Sequence, residues 1–250
     1  MKRKFSKQSS SKTGSQGLVL YGRHAVISAL NNPNRKISKL VCTPENALEI
    51  REKFPNLNII TADRKDIDKL VPSEAVHQGY ALFCTPLDNL SVEELCKMTA
   101  NDKKCNVLIL DQVTDPQNIG AIIRSCAAFG SRALIVQDKN SPQESGAMVK
   151  AAAGTFEFMP IVRVTNLART IEILKKSGFW VVGMDGYAKN NVDGIDKDSK
   201  LAVIMGSEGA GMRRLIEESC DITVRLPISE KVESLNVSTA AAVVLYELSK

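Results

Sequence analysis

Aromatic residues are scarce, at 5% of this 250-residue chain, which argues against a broad stacking platform as the means of holding a ligand. Histidine occurs only as His24 and His77, both in the first third, so a His-rich metal site is not expected and no metal is assigned. The six cysteines, at positions 42, 84, 96, 105, 126 and 220, include no C-x-x-C pair and are too sparse for a disulfide scaffold. They read as reduced, mostly buried thiols, which points to a reducing compartment, the cytoplasm. No apolar run approaches the roughly 20 residues that cross a bilayer, so no membrane partner is expected.

What is present is ordinary in amount and uneven in distribution. A hydrophobic fraction of 44% with 24% charged residues suits a globular α/β protein. The chain has 33 basic and 28 acidic residues, a net charge of +5. Residues 1–16 hold Lys2, Arg3, Lys4, Lys7 and Lys12 and no acid, so they account for the whole excess. This arm is expected to be disordered, and two readings of it stand open: contact with phosphates or a solubilising tail.

Residues 17–85 read as a small α/β unit. Strands are expected at Leu18–Tyr21, Ile37–Cys42, Leu57–Thr61 and Tyr80–Cys84, and helices at Arg23–Asn31, Glu45–Lys53 and Asp66–Val71. Residues 86–104 turn polar and read as a linker, with a short helix signalled by Ser91 and Glu94 in capping-box spacing. Residues 105–250 alternate strand and helix patterns. The continuous apolar runs Val107–Leu110, Ala133–Val136, Phe179–Val182 and Leu201–Met205 look like buried parallel strands, and Val237–Leu248 is the last helix. That order implies an open α/β sheet with ligand chemistry at the carboxyl ends of its strands.

Three segments bear on chemistry. In Asp111–Gly120 a strand ends, Asp115 can cap a helix with Pro116 in first position, and Gly130 can stop it. Asn118 and Arg124 are six positions apart, about 120° round an ideal helix. They can serve one site only if Asn118 lies in an irregular first turn or a second subunit contributes. The second segment, Gly206-Ser207-Glu208-Gly209-Ala210-Gly211-Met212, follows a strand and precedes a helix at Arg213–Ser219. Its glycines are expected to let a ligand approach the backbone closely. Its order is G-x-x-G-x-G, neither the dinucleotide fingerprint nor a phosphate loop, and Glu208 would repel phosphate while suiting a cationic sulfonium. The third runs from a short strand through Arg225-Leu226-Pro227-Ile228 and a polar loop to Ser234-Leu235-Asn236, where Ser234 is a plausible helix cap.

Together, D-x-V-x-D-P-x-N-x-G…R, M-G-x-E-G-x-G-M and L-P…S-L-N-V-S resemble the SpoU, or TrmH-type, branch of the SPOUT RNA methyltransferases. Within it the chain is most similar to the RlmB-type 23S rRNA guanosine 2′-O-methyltransferases. Tyr21-Gly22-Arg23-His24-Ala25-Val26 and His77-Gln78-Gly79 match that group's small amino-terminal substrate-binding domain. The resemblance implies an α/β methyltransferase domain with a trefoil knot, preceded by an L30-like RNA-binding domain, working as a homodimer on RNA. It implies S-adenosylmethionine as cofactor, with Gly206, Leu226 and Leu235 at cofactor-binding positions and Met205, Gly209, Ile228 and Asn236 beside them. Asn118, Arg124, Glu208, Ser234 and Asn236 match the polar active-site set.

Residues 105–250 contain no histidine to act as base. Since guanidinium stays protonated, the expected role of Arg124 is electrostatic, towards a forming alkoxide or the adjacent phosphate. Glu208 or solvent would take the proton, Asn118 and Asn236 would orient the ribose and loop, and Ser234 would add a supporting hydrogen bond. Three rivals remain: the same chemistry on tRNA, an RNA-binding protein without catalysis, and a nucleotide-dependent enzyme, which the glycine order disfavours.

Overall fold

A computed structural model of the chain describes residues 17–229 and 231–250; the basic arm at 1–16 lies outside the described residues. The first part holds β1 (Leu18–Tyr21), α1 (Arg23–Asn31), β2 (Ile37–Cys42), α2 (Pro44–Lys53), β3 (Ile59–Thr61), α3 (Arg64–Asp68) and β4 (Tyr80–Cys84). Its four strands form one sheet in the order β1-β4-β2-β3, with only β2 and β3 parallel. Helix α1 buries Ala25, Val26, Ala29 and Leu30, the stripe that its apolar spacing predicts. Helix α3 starts earlier than expected because the Asp63 carboxylate accepts the Asp66 N–H at 2.9 Å and fixes the first turn there. The strand expected from Leu57 begins only at Ile59.

Next come α4 (Val92–Met98), β5 (Cys105–Leu110), α5 (Pro116–Ala128), β6 (Leu134–Gln137), α6 (Gly146–Ala151), β7 (Ile161–Val164) and α7 (Leu167–Lys176). After these follow β8 (Phe179–Met184), β9 (Asn190–Asn191), β10 (Lys200–Met205), α8 (Arg214–Glu217), β11 (Ile222–Arg225) and α9 (Val237–Ser249). Seven strands form a second sheet, β7-β6-β5-β10-β8-β11-β9, in which every pair is parallel. Alternation along each strand sends side chains to two covered faces. Leu108, Leu110, Val203 and Met205 meet α5 and α9 on one face. Val107, Ile109, Ala202 and Ile204 meet α4, α7 and α8 on the other.

One further expectation changes here, and one strand was not expected. The stretch expected to be a linker is packed, because α4 sends Val92 and Leu95 into the second face's core and Leu90 bridges to Val162 on β7. Its Ser91–Glu94 capping box is present as expected. Strand β7 escaped notice because it is four residues long and interrupted by Arg163.

The two sheets share one continuous core, since residues of β1, α1, β2 and β4 join the cluster that contains α5 and α6. Helix α6 lies across the seam. A Cβ on Gly146 would meet the Tyr21 ring at 2.5 Å, so only glycine lets α6 lie this close to β1. Buried Arg35 locks the contact. Its Nη1 donates to Glu144 Oε1 and its Nη2 to Glu157 Oε1, both at 2.6 Å, and Nη1 also donates to the Thr85 carbonyl at 3.0 Å. The Leu87 N–H occupies the second Glu144 oxygen at 2.9 Å. Burial pushes the Glu144 carboxyl above its ordinary range against the pull of Arg35.

Candidate active site

The loops that leave β5, β8, β10 and β11 emerge side by side, because these strands are consecutive in the sheet order β5-β10-β8-β11 and parallel. Between the last three opens a cavity of about 330 Å³. Its apolar lining includes Met205, Leu226, Ile228 and Leu235, and Gly206, Gly209 and Ser234 also line it. Among the described residues its charged lining is Asp185, Glu208, Glu217 and Glu233 against the single cation Arg225. Four negative charges against one positive leave a net −3, opposite in sign to the chain as a whole.

The glycine loop is shaped by its own backbone. Ser207 and Gly211 exchange N–H···O bonds of 3.0 Å in both directions, closing a tight hairpin. Gly209 and Gly211 sit at φ 78° and 66°, the left-handed region that favours glycine. A Cβ on Gly206 would collide with the backbone of Gly211 and Met212. Gly206, which lines the cavity, thus also makes room for the loop's own return.

Both ends of this loop are tied to Asp111, a fully buried carboxylate at the end of β5. The Asp111 N–H donates to the Met205 carbonyl at 2.9 Å. Asp111 Oδ2 accepts the Arg213 N–H at 2.9 Å and Oδ1 accepts from Arg213 Nε at 2.9 Å, with Nη2 in ionic contact with the same Oδ1 at 2.7 Å. Sequence reading took Arg213 as the first residue of a helix, whereas α8 starts at Arg214. The available signal was Asp111 itself, since an acid at the end of an apolar strand must find a partner if it is buried.

Helix α5 begins as expected, with Asp115 accepting the N–H groups of Gln117 and Asn118 and Pro116 in first position. Asn118 thus sits in the first turn, and its side chain reaches Glu208. One oxygen, Glu208 Oε1, accepts from Asn118 Nδ2 at 3.3 Å, Asn236 Nδ2 at 2.7 Å and the Val237 N–H at 3.1 Å. Asn236 Nδ2 also donates to Asn118 Oδ1 at 3.0 Å. These bonds join the start of α5, the glycine loop and the start of α9 in one polar cluster beside the cavity. The cap of α9 is Asn236, whose Oδ1 accepts the Ser238 N–H at 2.9 Å and the Thr239 N–H at 3.4 Å. That corrects the expectation that Ser234 caps the helix; Ser234 faces the cavity instead.

Arg124 is not in the cluster. It is exposed on α5 and, among the described residues, makes no hydrogen bond or ion pair. Among the described residues no group of three or more His, Cys, Asp and Glu could hold a metal ion, and no helix is long and apolar enough to cross a membrane.

Comparison with known proteins matches two family models to the two parts of the chain. Residues 106–246 match the SpoU rRNA Methylase family, and residues 19–90 match the RNA 2′-O ribose methyltransferase substrate-binding family. The 23S rRNA (guanosine-2′-O-)-methyltransferase RlmB of Coxiella burnetii is 37% identical over 92% of this chain and 94% of its own length. The protein of the same name from Pseudomonas putida is 38% identical over 91% and 94%. In fold, the chain is similar to the SpoU methyltransferase AviRb from Streptomyces viridochromogenes, solved in complex with the cofactor AdoMet. That likeness has a TM-score of 0.79 and 21% identity, covering 97% of this chain and 93% of that one. The motifs, the parallel sheet and these matches agree: the chain belongs to the SpoU rRNA methylase family.

Proposed function

We propose that this chain methylates a ribose 2′-hydroxyl, that of a guanosine in 23S rRNA, with S-adenosylmethionine as methyl donor. The cavity's charge supports this reading most directly. Four carboxylates over an apolar floor suit a ligand with a flat apolar body and a positive centre, and they repel the phosphates of a dinucleotide. The names of the Coxiella and Pseudomonas relatives support the choice of rRNA and guanosine.

S-adenosylmethionine, when bound, supplies a methyl group already activated by a positively charged sulfur. Met205, Gly206, Gly209, Leu226, Ile228 and Leu235 would hold it, with Asn236 alongside. The residues around it need only position and activate a hydroxyl. Glu208 Oε1 is occupied by three N–H donors, so Oε2 is the oxygen left to accept the hydroxyl proton. Asn118 and Asn236 fix the orientation of that carboxylate, and Ser234 adds a hydroxyl to the cavity wall. Arg124 supplies positive charge towards the forming alkoxide or its phosphate.

Arg124 stands apart from Asn118, Glu208 and Asn236, which supports a homodimer in which it completes the partner subunit's site. The apolar surface of α9, with Val243 and Tyr246 exposed, supports the same assembly. The trefoil knot that the motif resemblance implies is our reading of the last segment, and the bonds of Asn236 to Asn118 after β5 and to Glu208 after β10 are consistent with it. We also assign an L30-like fold to the 17–85 substrate-binding domain, with 86–104 joining it to the 105–250 methyltransferase domain, and a cytoplasmic location.

The test is transfer of labelled methyl from S-adenosylmethionine to protein-free, unmodified 23S rRNA, with tRNA and 16S rRNA as controls and the product nucleotide mapped. Label at one guanosine ribose of 23S rRNA is the expected result. Label on tRNA alone would keep the chemistry and overturn the substrate. Cofactor that fails to bind would overturn the enzyme reading.

A further inference from the structure

We infer that Asp111 and Arg213 form a clasp that sets the width of the glycine loop, and so act as positioning residues for cofactor affinity. This rests on the reading of the cavity as a cofactor site. The loop 206–212 leaves the sheet at Met205 and returns at Arg213, and both of these points are bonded to the same residue. The Asp111 N–H holds the departing strand through the Met205 carbonyl. The Asp111 carboxylate holds the return through one backbone N–H and a guanidinium contact. The Nε–H bond from a rigid guanidinium plane, with the backbone N–H of the same residue on the other oxygen, fixes direction as well as distance, which a lysine ammonium would not.

The environment makes this clasp stiff on one side and open on the other. The Asp111 side chain is 0% exposed and that of Arg213 is 43% exposed. A buried carboxylate that loses its only ionic partner must find another or let water in. Releasing Arg213 would therefore open the loop's return while leaving β5 and β10 in register through their ladder. The loop also carries Glu208, whose three donors come from elements outside it. With its far end tied there, an open clasp changes the space between Gly206 and Leu226 more than the position of the Glu208 carboxylate. Affinity for the cofactor is then affected before turnover is.

The deciding experiment uses the full-length Arg213→Gln variant, chosen because Arg213 is half-exposed and its loss leaves the core filled. Two quantities are measured: S-adenosylmethionine affinity by calorimetry, and hydrogen exchange of the loop amides. The affinity should weaken by about tenfold or more, from the loss of a charged contact. The Ser207 and Gly211 amides should exchange about tenfold faster, while those of β6 and α7 stay unchanged. Turnover at saturating cofactor should stay within about threefold of wild type, and Arg213→Lys should restore only part of the affinity. Unchanged affinity and unchanged loop exchange in Arg213→Gln would overturn the clasp. So would faster exchange spread evenly over the sheet, which marks a merely structural role. Wild-type protein that binds no S-adenosylmethionine would instead overturn the proposed function, and loop exchange would still read the clasp.

Discussion

The seam between the two sheets and the site at the strand ends are both polar clusters that tie distant segments together, yet they differ in depth. At the seam, Arg35 lies with Glu144 and Glu157 where side-chain exposures are 0%, 8% and 4%. At the site, Asn118, Glu208 and Asn236 meet at the surface beside a cavity. A buried ionic cluster is costly to break and its oxygens are already taken by Arg35 and backbone N–H groups, so it defines one arrangement of the two halves. An exposed cluster of amides around one carboxylate holds its shape while leaving an oxygen free. Depth separates the fixed joint from the working one.

The sharpest way to break this contrast is at the seam. Arg35→Met should cost about 3–5 kcal/mol of stability, because it leaves two buried carboxylates without their cation. Thermal unfolding would show it, and a loss below 1 kcal/mol would mean that the seam is as wet as the site. At the site, Glu208→Gln should leave the melting temperature nearly unchanged and lower methyl transfer about 100-fold, as expected for removing a positioned proton acceptor. A variant that unfolds instead would place Glu208 with the structural cluster. Where the two regions meet, Gly120 packs against α6, and a Cβ there would collide with the Met148 carbonyl and the Ala151 side chain. Gly120→Ala should cost about 1–3 kcal/mol through overpacking, measured by denaturant unfolding.

The buried thiols of Cys84 and Cys126 test burial itself. Burial pushes Cys84 and Cys126 from 9.0 to about 12. Both should resist alkylation at pH 8 in the folded chain and react once it is unfolded. Because these pKa values are raised by folding, the stability they confer is intact below pH 9 and is lost as pH rises towards 12. Denaturant midpoints that stay level from pH 8.5 to about pH 10.5 would contradict that burial.

Legibility in the sequence follows the same contrast. The strands β5, β6, β8 and β10 show as apolar runs because both faces of the sheet are covered. The cap at Asp115 and the capping box at Ser91 show because capping is local chemistry. The site residues Asn118, Glu208 and Asn236 could be named from motif resemblance, and the loops from glycine and proline. The seam could not be read, since Arg35 is 109 residues from Glu144 and 122 from Glu157 and no local pattern links them. Arg213 was hidden in the same way, 102 residues from Asp111. Even the choice of Asn236 over Ser234 as the cap depended on where Glu208 holds the chain.

That choice has a consequence for synthesis. Among the described residues all eleven strands precede residue 226, so both sheets can form before α9 leaves the ribosome. The residue that starts α9 is also the one that joins Asn118 to Glu208. Assembly of the working cluster therefore waits for the segment after β11, and a chain cut short there would lack both the apolar face that α9 adds to the core and the bonds of Asn236 to the site.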